Sequence, residues 1–110
     1  MQFTAEHLAL SDTVKRFVEN EINPYSDEWE KAGHFPAHEV FKKLGDLGLL
    51  GIKYDTAYGG MSLDFSYSMV ASEALGVANC GGVPLAIGVQ TDMCTHALHR
   101  FGSDALKKEF

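Results

Sequence analysis

The sequence predicts an all-α fold, a bundle of about four to five helices, and three observations lead there. Apolar residues recur at three-and-four spacing along most of the chain. Threonine, aspartate, serine, proline and glycine punctuate that pattern where helices begin and stop. No stretch keeps the two-residue alternation of a half-buried strand.

The first helix carries its stripe on Phe3, His7, Leu10, Val14, Phe17, Val18 and Ile22. Thr4 caps its start, and Pro24 ends it at Asn23, because a residue before proline is driven out of the α region. A connector, "YSDEWEKAGHF", follows. Pro36 opens a second helix whose Val40, Phe41, Leu44 and Leu47 share a face, and Gly48 supplies its left-handed stop. Asp64 caps a third helix, on which Leu63, Tyr67, Val70, Ala74 and Val77 align until "NCGG" at 79–82 breaks it. Pro84 begins a fourth helix that runs to about Arg100. Ser103 and Asp104 start a fifth shortly before Phe110, an ending that reads as a cut. The joint between the second and third helices, "LGDLGLLGIKYDTAYGGMSLDF", holds five glycines, so it encodes backbone geometry rather than packing.

Composition bounds the function. The 110 residues make one domain with a real core, 45% hydrophobic and 22% charged. The net charge of −6 argues against nucleic acid, whose phosphates attract the opposite sign. Cys80 and Cys94 lack metal or redox spacing and read as reduced core residues, which points to a reducing compartment. The N-terminal "MQFTAEHLALSD" lacks a secretory pattern. The longest apolar run, "VPLAIGV", is far short of the ~20 residues that span a bilayer.

The ordered segments "INPYSDEWEKAGHFP", "KLGDLGLLGI", "YGG", "SEALG" and "FGSDALKKEF" resemble the N-terminal helical domain of the acyl-CoA dehydrogenases over essentially the whole chain. Two departures stand out. Asp55, Thr56 and Ala57 replace the family's usual Pro-Glu-Glu, and Ser72 and Glu73 replace its paired glutamates. On the resemblance, residues 1–110 are the first of three domains of an FAD enzyme that removes hydrogens from the α and β carbons of an acyl-CoA. A middle β domain and a C-terminal helical bundle complete such an enzyme, and the bundle carries the catalytic glutamate. The implied partners are acyl-CoA, those two domains, an electron-transfer flavoprotein and further copies of the enzyme. The implied compartment is the mitochondrial matrix in a eukaryote and the cytoplasm in a bacterium. The alternatives are a domain of an acyl-CoA oxidase and an independent helical interaction module.

The resemblance also places the fourth helix along the acyl pocket. Ala86, Val89, Gln90, Met93 and Ala97 then become the candidate substrate-binding residues, a stripe that otherwise reads as plain core. Small Ala86 and Gly88 leave room, and flexible Met93 fills or yields. Tyr58 either faces the cleft or anchors its loop by packing.

Other tempting residues carry less. Glu73 lies on the apolar face of the third helix; it is either a base or, the favoured reading, a buried carboxylate paired with Arg100, Arg16 or a histidine. Asp92, His96 and His99 share a face at ligand spacing but lack a fourth donor, so no metal site is assigned. His7, His34 and His38 form no constellation. Ser11, Ser66, Ser68 and Ser72 have no neighbouring histidine and aspartate in a nucleophile elbow.

No catalytic, cofactor or metal residue is therefore assigned in this chain. An apolar docking face is expected around Val89, Met93 and Ala97 beside Tyr58, to be covered in the isolated chain by self-association. The 110-residue chain alone should bind FAD weakly or not at all and oxidise no acyl-CoA. Flavin absorbance copurifying with it at one equivalent would contradict that expectation.

Overall fold

A computed structural model describes residues 3–110; Met1 and Gln2, the first two positions of the expected 1–110 domain, lie outside the described residues. Every regular element of the described residues is helical, and no strand occurs among them. The elements are α1 (Ala5–Phe17), α2 (Ser26–Ala32), α3 (Ala37–Asp46), α4 (Phe65–Leu75), α5 (Gly82–Gly88), α6 (Thr95–Phe101) and α7 (Asp104–Glu109). Wide π turns continue α1 over Val18–Ile22 and join α5 to α6 over Val89–Cys94.

The first helix is not the regular one expected. It widens at Val18–Ile22 and tightens at Asn23–Tyr25, where Pro24 occupies the first turn. In a regular helix, at about 100° per residue, Ile22 would lie some 80° round from Val14. The wide turn rotates less per residue and returns Ile22 to the core face, where Val18 and Ile22 are fully buried.

The connector at 25–35 contains α2, which was not expected. Its signals are local: Asp27 and Glu28 in the first turn, Lys31 in the last, and Gly33 at φ +79° as the left-handed stop. Trp29 is its one large apolar side chain packed inward, against Tyr25 and Phe35, and the other inward residue, Ser26, is polar, so no apolar stripe announces it.

In α3, Val40 and Leu44 are buried as expected, but Leu47 is half exposed. Gly48 at φ +78° reverses the chain one residue later, and the Leu49 N–H donates to the Leu44 carbonyl at 3.0 Å. Leu49 takes the core position instead. Likewise α4 ends at Leu75, so Val77, expected on its stripe, lies beyond the helix and exposed. The fourth helix begins at Gly82, two residues before Pro84, and reaches Phe101 only through its π turn. Ser103 caps α7, its hydroxyl accepting from the Leu106 N–H.

The core joins Val14, Phe17, Val18 and Ile22 from α1 and its continuation to Val40 and Leu44 of α3. Ala71 and Ala74 of α4 and Val83 and Ile87 of α5 complete it, with Leu49 and Ile52 filling in from the joint. That joint folds into an irregular hairpin: Met61 donates to the Gly51 carbonyl at 2.8 Å, and Leu63 donates to that of Ile52 at 2.9 Å. Its glycines are needed for close approach. A Cβ on Gly60 would stand 2.1 Å from the Tyr54 carbonyl oxygen, and one on Gly51 3.2 Å from the Gly60 Cα. Gly60→Ala should therefore cost about 1–3 kcal/mol in urea unfolding, whereas Gly81→Ala, with open space around it, should stay within about 0.5 kcal/mol of the parent. Equal effects at the two sites would contradict this account of the joint.

Candidate functional site

Three clefts flank the fourth helical path between Pro84 and His99. The first, about 340 Å³, lies between α4 and α5. Its floor is apolar, built from Leu49, Ile52, Ala71 and Ile87, and its rim carries Lys53, Tyr54, Thr91 and Asp92. Lys53 Nζ donates to Asp92 Oδ1 at 2.9 Å, and the Tyr54 hydroxyl donates to the Thr91 carbonyl. Burial pushes the Tyr54 hydroxyl up to about 12, and the Asp92 charge adds to the shift. Tyr54 is therefore a donor at neutral pH, not a base.

The second cleft, about 300 Å³, is walled by the glycine-rich joint on one side and by Gln90, Thr95, Leu98 and His99 on the other. Tyr58 stands at its edge, and its hydroxyl donates to the Asp104 carboxylate of α7. That bond holds the Tyr58 hydroxyl above its ordinary value and is the main reason the Asp104 carboxyl lies below its own. Lys107 Nζ lies 5.7 Å from the Tyr58 ring. Tyr58 thus borders a cleft and anchors its loop at the same time. The third groove, about 780 Å³, runs past Phe3, Phe65, Met69, Glu73, Asp92 and His96.

The five candidate substrate residues are not gathered around one enclosed cavity. Gln90 borders the glycine-lined cleft, where its side-chain amide donates to Thr95 Oγ1 at 3.3 Å. Ala86 and Val89 are half-buried. Met93 is 66% exposed, and Ala97 is exposed too. The inward side of the same path is formed by Val83 and Ile87, with Pro84, Gly88 and Thr91 along the first cleft.

Two expectations are corrected. Glu73 is exposed and has no ion pair among the described residues, because Val70, Ala71 and Ala74 take the inward face of α4 and turn Glu73 to the groove. Cys94 is exposed in the π turn rather than in the core; Cys80 is half-buried, and both are free thiols. Asp92, His96 and His99 are drawn to different neighbours. Asp92 pairs with Lys53, the His99 ring packs edge-on against Tyr54 at 5.3 Å, and His96 lines the third groove.

His7 and Ser66, read as isolated, are joined by the fold. The Thr4 N–H donates to His7 Nδ1 at 3.0 Å, which leaves the imidazole proton on Nε2, 2.7 Å from Ser66 Oγ. Ser66 accepts there and donates onward to Asp64. A histidine that gives a proton to serine cannot activate it, so this buried chain is a clamp between α1 and α4 and not a nucleophile. The Tyr67 ring stacks on His7 at 3.9 Å, and its hydroxyl donates to Glu6 at 3.0 Å. Only the pairing of α1 with α4 could have revealed this cluster, since His7 and Ser66 lie 59 residues apart.

The family model described as "Acyl-CoA dehydrogenase, N-terminal domain" matches residues 4–110. The chain belongs to this family. A probable acyl-CoA dehydrogenase of Bacillus subtilis is 33% identical over 97% of this chain and 28% of its own length. Among solved structures, glutaryl-CoA dehydrogenase of Mycobacterium smegmatis superposes with a TM-score of 0.88 at 31% identity, covering 98% of this chain and 27% of that one. An acyl-CoA dehydrogenase of Bacillus anthracis complexed with FAD superposes at 0.89 and 28% identity, over 99% and 18% of the two chains. This acyl-CoA dehydrogenase N-terminal domain thus spans about a quarter of the length of the curated relatives it matches. None of its described helices is long and apolar enough to cross a membrane.

The start of α4 in this domain should be acid-sensitive. Chiefly the Ser66 hydroxyl, and then the Ser66 N–H, hold the Asp64 carboxyl below its ordinary value of 3.8. A carboxyl depressed in the folded state contributes stability that is present above its unfolded value and is lost as pH falls through the lowered one. Urea midpoints should therefore drop below about pH 4 in the parent and drop less in Asp64→Asn. Parallel acid limbs would show that Asp64 has no part in the loss.

Proposed function

We propose that this chain is the N-terminal helical domain of an FAD-dependent acyl-CoA dehydrogenase catalysing α,β-dehydrogenation of acyl-CoA thioesters in fatty-acid or amino-acid catabolism. Its part is to wall the acyl pocket with residues 82–101. The observation that carries the reading is the apolar side of that helical path left open to solvent: Leu85 at 67%, Met93 at 66% and Phe101 at 81% exposed. Methionine and leucine standing out from a helix suit a face that meets an acyl chain or a neighbouring domain. Ala86, Val89, Gln90, Met93 and Ala97 are the proposed contacts, Ala86 and Gly88 giving space and Met93 adapting to the chain.

The described residues do not fit a flavin. No strand feeds a glycine-rich helix start among them, and the N-termini of α4 and α7 are already satisfied by Asp64 and Ser103. Hydride and proton transfer are accordingly assigned to the rest of the enzyme, with FAD held there and electrons passed to an electron-transfer flavoprotein. The enzyme is proposed to be oligomeric, in the mitochondrial matrix of a eukaryote or the cytoplasm of a bacterium. What these residues contribute is shape and exclusion of water around the acyl tail.

Met93→Trp in the full-length enzyme tests the assignment. The indole should lower kcat/KM for the longest accepted acyl-CoA about tenfold relative to the shortest, with kcat on the short substrate little changed. An unaltered chain-length profile would remove Met93 and its stripe from the acyl pocket.

A further inference from the structure

The helical path 82–101 is held out of a regular α-helix at one place, and the residue that holds it comes from the joint 37 residues upstream. Over Val89–Cys94 the path forms a π turn, in which the Thr95 N–H reaches back five residues to the Gln90 carbonyl. In a regular helix that N–H would bond the Thr91 carbonyl. The Thr91 carbonyl instead accepts the hydroxyl of Tyr54. A wide turn releases a carbonyl from the helical ladder, and it persists where another donor takes up the released group. Tyr54 is that donor. Tyr54 is 7% exposed, with the His99 ring among its neighbours, and burial together with the Asp92 charge keeps the hydroxyl protonated.

Two further bonds lock the same turn. Lys53, next to Tyr54, pairs with Asp92, and Thr95 Oγ1 donates to the Gln90 carbonyl at 2.5 Å. The joint therefore grips two consecutive residues of the helix, Thr91 by its backbone and Asp92 by its side chain. The turn decides where later side chains point. One residue's worth of extra winding rotates everything beyond it by about 100° relative to a regular helix. Ala86 lies before the turn, Met93 within it and Ala97 after it.

We propose that Tyr54 is a specificity-determining positioning residue, which by donating to the Thr91 carbonyl fixes the π turn and so the direction in which Met93 and Ala97 face the acyl chain. It touches no substrate; its effect passes through the helix backbone. The inference rests on the proposed role of residues 82–101 as the acyl wall and adds the device that sets its register.

Tyr54→Phe keeps the ring against His99 and deletes only the donated hydroxyl, so the fold should survive, which flavin content and a thermal melt of the full-length enzyme would verify. Two readouts follow. Amide exchange in peptides covering 89–101 should accelerate about tenfold while peptides covering 65–75 stay as in the parent. Across straight-chain acyl-CoA substrates, the ratio of kcat/KM for long over short chains should shift about tenfold, through KM rather than kcat. Parental exchange over 89–101 would overturn the proposal, and so would faster exchange with a uniform loss across all chain lengths, which marks a merely structural bond. Met93→Trp measured alongside separates the two readings. If it shifts selectivity and Tyr54→Phe does not, the acyl wall stands and the role of Tyr54 falls. If neither shifts it, the acyl wall itself falls and takes this proposal with it.

Discussion

Gly60 has no room for a side chain, because the Tyr54 carbonyl oxygen sits 2.1 Å from the place its Cβ would take, and much of the architecture is arranged around that contact. The same carbonyl accepts the Ser62 N–H at 2.8 Å, closing the hairpin that runs from Gly51 to Leu63. With the hairpin closed, Ile52 drops into the core and Leu49 is held beneath it. Lys53 and Tyr54 then stand at the correct height to grip Thr91 and Asp92. A single missing methyl group thus couples the joint to the helix that borders all three clefts. Glycine costs conformational entropy in any folded segment, and this one is offset by the packing and hydrogen bonds that only close backbone approach permits.

The pairing of α1 with α4 is fixed by a polar device. His7 is buried between α1 and α4, and each of its ring nitrogens is satisfied, one by the Thr4 N–H and one by Ser66. Buried polar groups without partners are costly, and no buried side-chain polar atom among the described residues lacks one. The chain Thr4–His7–Ser66–Asp64 therefore contributes orientation: it sets how α4 lies along α1, and α4 in turn forms one wall of the first cleft. The surface ion pairs, such as Lys42 with Asp46 and Lys108 with Asp104, are exposed and add little to that arrangement.

The distribution of apolar surface fits a part that works within a larger enzyme. The domain encloses a continuous core, yet Leu85, Met93 and Phe101 on the 82–101 path remain in solvent, as do Phe65 and Met69 along the broad third groove. Four of its acidic and hydroxyl side chains serve as caps and clamps: Asp64 on α4, Ser103 on α7, Ser66 on His7 and Tyr58 on Asp104.

The sequence by itself determined the helical class, the starts of α3, α4 and α7, and the family. Apolar period, capping side chains and left-handed glycine stops are local properties, and local sequence states them in full. Two of the family segments, "KLGDLGLLGI" and "YGG", likewise fall in or beside the glycine-rich joint, where backbone geometry allows few alternatives. Only the tertiary structure decided the rest. It made α2 from a connector whose one large inward apolar side chain, Trp29, shows no period, and it widened α1 and the 82–101 path because core contacts and the Tyr54 hydroxyl reward wide turns that no isolated helix would choose. It also joined His7 to Ser66 and turned Glu73 outward. Those outcomes depend on which faces meet across the fold, and a stripe drawn at a uniform 3.6-residue period cannot register a turn whose winding is set by a partner dozens of residues away.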